Sequence, residues 1–200
     1  MIKNVIFDVG MVLVDFSWKK VFEELGFFGD TFDKVAGATV LSELWNEYDR
    51  SSMTDEEILE GFIKKAPEQE TNIRLFWEHV GECISCFPYS HQWVREWKQK
   101  GYRCYILSNY ARRTYELTKE ELSFEKLMDG VLYSYQVQQI KPEPRIFETL
   151  LNRFELKAEE CVFLDDNPKN VEVAKKMGIE AILFTTKEAV VEAMKRLGIE

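Results

Sequence analysis

Apolar positions fall into two regimes along the chain. From Ser85 onward, short β-branched and aromatic runs alternate with segments whose apolar residues recur three and four positions apart. That alternation builds a parallel sheet covered by helices. It predicts strands at residues 103–107, 131–134, 161–164 and 180–184, with a first strand of the same sheet at residues 3–7. Helical segments carry Trp93, Val94 and Trp97, then Phe147, Leu150, Leu151 and Phe154, then Val190, Ala193, Met194 and Leu197; the last two sets fit the i, i+3, i+4, i+7 template.

Residues 17–84 break the alternation, because they carry successive helical stripes and no convincing strand. Trp18, Val21, Phe22 and Leu25 form one stripe, Leu41, Leu44, Trp45 and Tyr48 a second, and Ile73, Phe76, Trp77 and Val80 a third. Thr54 followed by Glu57 resembles a capping box opening a helix through Ile58, Phe62 and Ile63. The expected fold is α/β: a Rossmann-like parallel sheet covered by helices, with a small all-helical cap inserted after the first strand. Residues 1–16 and 85–200 would form the core and 17–84 the cap, with hinges near Phe16 and Phe87-Pro88. Most of the cap's aromatic residues are expected to form its own core, since so small a lobe needs every large side chain for burial.

With 200 residues, 46% of them hydrophobic, the chain can bury one main core and a small accessory lobe. The net charge of −9 argues against a general nucleic-acid or membrane-surface binder, so an anionic substrate must be held by local charge. The first apolar stretch is interrupted by Asp8 and Gly10, unlike a signal peptide, and no run approaches transmembrane length. A cytoplasmic location is expected, with Cys83, Cys86, Cys104 and Cys161 as reduced thiols. Cys83 and Cys86 have C-x-x-C spacing, but Cys104 and Cys161 fall in predicted buried strands and supply no zinc partners, so all four read as ordinary buried thiols.

Candidate chemistry gathers at the predicted carboxyl ends of the strands: Asp8, then Ser108 with Asn109, Lys141 ahead of Pro142, and Asp165 with Asp166. In open α/β sheets ligands bind at that edge. The acids can hold Mg²⁺ through hard oxygen ligands, and Lys141 and the metal can neutralise phosphate oxygens that a hydroxyl and backbone amides orient. Asp8 could then attack phosphorus and form an aspartyl phosphate.

In their order and placement, Asp8-Val9-Gly10-Met11-Val12, Leu107-Ser108-Asn109, Lys141-Pro142-Glu143 and Leu164-Asp165-Asp166-Asn167 resemble the motifs of the haloacid dehalogenase superfamily, and the insertion resembles its helical C1 cap. The resemblance implies Asp8 as nucleophile and metal ligand, with the Gly10 carbonyl and Asp166 completing the protein's share of the Mg²⁺ shell. It implies phosphoryl binding by Ser108, Asn109 and Lys141, a catalytic role for Lys141 beside Asp8, and supporting positions for Asp165 and Asn170. The first motif's form is similar to that of bacterial sugar-1-phosphate phosphatases. The implied partner is a small phosphorylated metabolite; the oligomeric state stays open between monomer and weak dimer.

One departure stands out. Family phosphatases usually carry a second aspartate two residues after the nucleophile, as general acid, and here that residue is Gly10. Such an acid contributes on the order of a hundred- to ten-thousand-fold. Three readings follow: a phosphatase whose substrate has a good leaving group, such as an anomeric sugar phosphate; a metal-free 2-haloacid dehalogenase; or a non-catalytic relative that binds a phosphorylated ligand or partner. Adjacent Asp165 and Asp166 count against the second, since a metal-free site would gather repelling carboxylates.

Among lesser candidates, Asp15 could replace the missing acid but reads better as a turn or helix-capping residue. Arg112 and Arg113 read as a solvated helix face, His79 as a satisfied buried histidine, and His91 as remote from the acids. Trp45, Glu47, Asp49 and Arg50 are the cap residues that could face a substrate, and Arg50-Ser51-Ser52 reads as a loop.

Overall fold

The computed structural model describes residues 1–199. Strand β1 (Asn4–Phe7) leads through a tight turn to β2 (Val14–Phe16); helices α1 (Trp18–Glu24), α2 (Gly29–Ala38), α3 (Leu44–Arg50), α4 (Asp55–Lys65) and α5 (Glu70–His79) follow, and β3 (Ile84–Cys86) returns beside β2. The chain continues through α6 (Ser90–Gln99), β4 (Arg103–Ser108), α7 (Arg112–Thr118), β5 (Gly130–Tyr133), α8 (Ser134–Val137), α9 (Pro144–Arg153), β6 (Cys161–Asp165), α10 (Pro168–Lys176), β7 (Glu180–Leu183) and α11 (Lys187–Arg196). Five strands form one parallel sheet in the order β5-β4-β1-β6-β7. β1 lies at its centre, with Phe7 in register with Ile106 on one side and Leu164 on the other.

The strands are apolar on both faces because helices cover both. Val5 and Phe7 point into one layer with Trp93, Val94 and Trp97 of α6 and Val190 and Met194 of α11. Ile6 points into the other, against Ile146, Phe147 and Leu150 of α9 and Val171 and Ala174 of α10. Helices α1 to α5 share a separate aromatic core in which Phe22 meets Phe76 at 4.8 Å and Trp45 stacks on Phe62 at 6.1 Å.

The capping box of α4 is present: the Thr54 hydroxyl accepts from the Glu57 amide, and the Glu57 carboxylate accepts from the Thr54 amide. Several expectations are corrected. The stripe starting at Leu41 yields a helix only from Leu44, and Leu41 is exposed, its spacing continuing past the helix start. Helix α2 carried no legible stripe, because Gly29, Asp30, Asp33 and Gly37 dilute its apolar face.

Where hinges were expected, β2 and β3 form an antiparallel stem pairing Val14 with Cys86 and Phe16 with Ile84. Three-residue strands are too short to show a period of two. Asp15 lies in that stem opposite Ser85 and caps no helix. His79 is partly exposed rather than buried and meets Glu82 at 2.7 Å. The thiols are free; burial first and neighbouring charge second push Cys83 up to about 12, while Cys86 is only half-buried.

Candidate active site

The site lies at the carboxyl ends of β1, β4 and β6, with α3 and the β2–β3 stem over it. Directly after β1, the Val9 carbonyl accepts amide hydrogens from Val12, Leu13 and Val14, closing a turn that places Met11 at φ 59° and halts the strand at Asp8. A left-handed φ is unusual for a residue with a side chain and marks how sharply the chain turns there. The Asp8 amide still donates to the Leu164 carbonyl at 2.8 Å, so Asp8 is held in line with the sheet.

Lys141 links the acids. Its Nζ lies 2.8 Å from Asp8 Oδ1 and 2.7 Å from Asp165 Oδ2, and all three residues are buried. Its main chain is fixed by Asn109: the Lys141 amide donates to Asn109 Oδ1 at 2.7 Å, and Asn109 Nδ2 donates to the Lys141 carbonyl at 2.9 Å. The Asn109 side chain is therefore engaged in positioning Lys141. Asp8 Oδ1 also accepts the Val9 amide at 2.7 Å, which leaves Oδ2 as the oxygen for chemistry.

Asp165 accepts from Lys141, from the Asn167 amide at 2.8 Å, and from Asn170 Nδ2 at 3.0 Å on each oxygen. Asn167 caps α10 by accepting from the Lys169 amide, with Pro168 in the first turn, so β6 turns at once into a helix that returns Asn170 to the site. Next to this saturated carboxylate, Asp166 is exposed.

Burial pushes Asp8 up to about 7, with Asp165 adding to the shift and Lys141 opposing it. Burial alone would lower the Lys141 ammonium, but the charges of Asp165 and Asp8 outweigh it and raise its pKa, so the lysine stays protonated.

A cavity of about 310 Å³ opens above these groups, lined by Asp8, Gly10, Ser108, Asn109, Lys141, Asp166 and Asn170 from the core. Met11, Phe16, Trp45, Ile84 and Tyr110 supply an apolar wall, and Asp49 of α3 adds a further carboxylate. Of the cap candidates, Trp45 and Asp49 reach the cavity, whereas Arg50 turns to Glu143 at 2.7 Å and Glu47 pairs with Arg50. Asp15, Arg112, Arg113, His79 and His91 do not line it. Arg113, expected on a solvated face, instead lies over the Trp77 ring at 4.9 Å and joins α7 to the cap. Nothing in the sequence separates Asp49 from Glu47 two residues earlier; the helix's rotation decides which one faces inward.

A family model for haloacid dehalogenase-like hydrolases matches residues 2–178. The chain belongs to the haloacid dehalogenase-like hydrolases. Among its curated relatives, the sesquiterpene phosphatase astK of Aspergillus oryzae is 23% identical over 195 residues, covering 98% of this chain and 96% of that protein. The pyrophosphatase PpaX of Bacillus cereus is 28% identical over 66% of this chain and 62% of its own length. The drimenol cyclase drtB of Aspergillus calidoustus is 25% identical over 95% of this chain, which spans only 35% of that longer protein.

Solved structures share the fold. The family enzyme bt-2542 of Bacteroides thetaiotaomicron, in complex with magnesium and inorganic phosphate, superposes with a TM-score of 0.71 at 19% identity, covering 94% of this chain and 96% of that one. The L-2-haloacid dehalogenase of Xanthobacter autotrophicus, with chloropropionic acid covalently bound, gives 0.69 at 18% identity, covering 100% and 85%. The fold therefore serves both phosphate and haloacid chemistry, and the choice for this hydrolase rests on its own residues.

The donor set fits the Mg²⁺ that the family implies. Oxygens of Asp8, Asp165 and Asp166 lie within 4.8 Å of one another, and Lys141 is bonded to the first two. The Asn170 Oδ1 atom is buried without a hydrogen-bond partner, a polar atom that a bound hydrated cation would satisfy.

Proposed function

We propose that this hydrolase is a Mg²⁺-dependent phosphatase that acts on a small phosphorylated metabolite, a sugar phosphate in the first instance, through an aspartyl-phosphate intermediate. The observation that carries the reading is charge balance: three carboxylates lie within 4.8 Å, and one lysine bridges two of them. Ionised together they carry two negative charges in excess. A divalent cation balances that excess, and a site for metal-free attack on a haloacid has no use for it.

In this reading Asp8, the Gly10 carbonyl and Asp166 hold the metal, which when bound draws charge from the phosphate oxygens. Asp8 Oδ2 attacks phosphorus while Lys141 holds Oδ1 and meets the phosphate. Ser108 at the end of β4 orients the phosphoryl oxygens. Asn109 acts through its grip on Lys141, and Asp165 and Asn170 keep Lys141 and the β6–α10 turn in place.

The apolar wall of Met11, Phe16, Trp45, Ile84 and Tyr110 supports a second substrate class, a phosphate ester with an apolar body such as a prenyl phosphate. The similarity to a sesquiterpene phosphatase favours the same class. Hydrolysis of aryl, anomeric, alkyl and prenyl phosphates with and without Mg²⁺, with Asp8→Asn as control, tests both. Dechlorination of 2-chloropropionate without metal, alongside inert phosphates, defeats the proposal.

A further inference from the structure

We propose that Asp49 of the cap protonates the leaving oxygen in this chain, standing in for the carboxylate absent at Gly10. The inference rests on the phosphatase reading and names a group the family pattern does not supply.

Its basis is placement. Asp49 lines the cavity together with Asp8, Ser108, Lys141 and Asp166, yet it comes from α3. Its main chain is pinned to the core: Ser134 Oγ donates to the Asp49 carbonyl at 2.6 Å. Both neighbours are anchored too, with the Tyr48 hydroxyl 2.7 Å from Thr114 Oγ1 and Arg50 bonded to both Glu143 oxygens at 2.7 and 3.1 Å. One residue further on, Ser51 Oγ accepts the Arg112 amide at 3.0 Å. These contacts position Asp49 without consuming it, for its carboxylate makes no ion pair or hydrogen bond among the described residues. An acid that must deliver a proton and take one back needs that freedom.

The other nearby carboxylates are committed. Asp165 is saturated beneath Lys141, Glu47 pairs with Arg50, and Asp15 lies in the stem opposite Ser85. Asp8 and Asp166 belong to the nucleophile and metal positions. Burial, with the charge of Asp8 adding and that of Lys141 opposing, pushes Asp49 up to about 7. The tyrosines Tyr48 and Tyr110 also feel its charge. A carboxyl group with that pKa is half-protonated near neutrality, where a proton donor must work.

As Asp8 Oδ2 forms its bond to phosphorus, the bond from phosphorus to the leaving oxygen breaks, and the Asp49 proton moves to that oxygen to release an alcohol. The Asp49 carboxylate then takes a proton from a water molecule whose oxygen attacks phosphorus. The phosphorus–Asp8 bond breaks, inorganic phosphate leaves, and Asp49 is protonated again.

The test compares wild type, Asp49→Asn and Asp49→Glu on p-nitrophenyl phosphate and on an alkyl phosphate, with mass spectrometry of the quenched enzyme and a melting curve for each variant. The expected result is a loss of about a hundred- to ten-thousand-fold in kcat with the alkyl ester for Asp49→Asn. The aryl ester, whose leaving group departs without help, should bind and phosphorylate Asp8 at a rate near wild type. Phosphoenzyme should accumulate in Asp49→Asn because water attack loses its base, and Asp49→Glu should recover part of the alkyl activity. Equal losses in the rate at which the two esters phosphorylate Asp8, or no loss with either, overturn the inference while leaving the phosphatase reading intact. A wild type inert to every phosphate defeats that reading, and this one with it.

Discussion

Arg50 at the end of α3 grips Glu143 at the start of α9 through both terminal guanidinium nitrogens, at 3.1 and 2.7 Å, two residues beyond the lysine that links the site's acids. The cap and the loop that carries Lys141 are thereby joined by an ion pair. Arg50 also donates to the Gln138 carbonyl at 3.2 Å, so its removal loosens two segments at once.

The pair is partly exposed, so it is worth no more than about 1 kcal/mol, roughly a fivefold change in the closed population. Arg50→Ala should therefore raise KM more than it lowers kcat and speed hydrogen exchange at Tyr48 to Ser51. Arg50, by hydrogen bond and charge, holds Glu143 below its ordinary value of 4.5. The contribution is thus present above that ordinary value and lost as pH falls through the lowered one. Acid should speed exchange in wild type and change little in Arg50→Ala; an identical acid response in both would show that the cap is held elsewhere.

Lys141→Met keeps most of the side chain's volume but leaves two buried carboxylates facing each other. Breaking a buried ion pair from one side costs about 3–5 kcal/mol. With the lysine gone Asp8 is raised further, so the folded state favours its protonated form. Stability should then be greatest below the ordinary value of 3.8 and fall as pH rises. Urea denaturation at acid and neutral pH measures both effects.

Mg²⁺, by binding the folded state alone, should stabilise it by about 2.7 kcal/mol at a hundredfold excess over its Kd, read as a raised melting temperature. Asp166→Asn should lose most of that gain while melting like wild type in chelator, because Asp166 is exposed and supports no packing. Calorimetric titration with the metal alone gives the affinity directly.

Gly10 has nothing within 4 Å of the position a Cβ would occupy, and its backbone is outside the left-handed region. Gly10→Asp should fold, and in the Asp49→Asn background it should restore hydrolysis of the alkyl phosphate by at least about tenfold, as a carboxyl group of matched pKa does when returned within reach of the leaving oxygen. Kinetics of the double variant against Asp49→Asn decide it.

Asp49 should also lower stability at neutral pH. Its pKa rises from 3.8 to about 7 on folding, so its stabilising protonated form is fully present below 3.8 and is lost as pH climbs to about 7. Asp49→Asn, which cannot ionise, should melt higher than wild type above that range, the usual trade between stability and a functional acid. Melting curves across the range would show the two proteins converging in acid.

Much of this was legible in the chain because it depends on local order. Runs such as Val5 to Phe7 and Val162 to Leu164 are apolar on both faces and so announce buried parallel strands, and the acids that interrupt them mark the sheet's ligand-binding edge. The Thr54–Glu57 capping box was readable for the same reason, since its hydrogen bonds span three residues. The β2–β3 stem was not, because its pairing joins Phe16 to Ile84 across the whole cap and neither strand is long enough to signal itself. The hold of the Asn109 side chain on the Lys141 main chain was not legible either, being a contact between two loops distant in sequence.

By itself the sequence determined the fold class, the family resemblance and the acids, hydroxyl and lysine of the site, because periodicity and strand-end chemistry are local properties. Only the tertiary structure decided that Lys141 bridges Asp8 to Asp165, that Arg50 pairs with Glu143 and that Asp49 lines the same cavity as Asp8. Those relationships depend on how a helix is rotated and where a lobe comes to rest, which packing across long sequence separations sets and no short motif encodes.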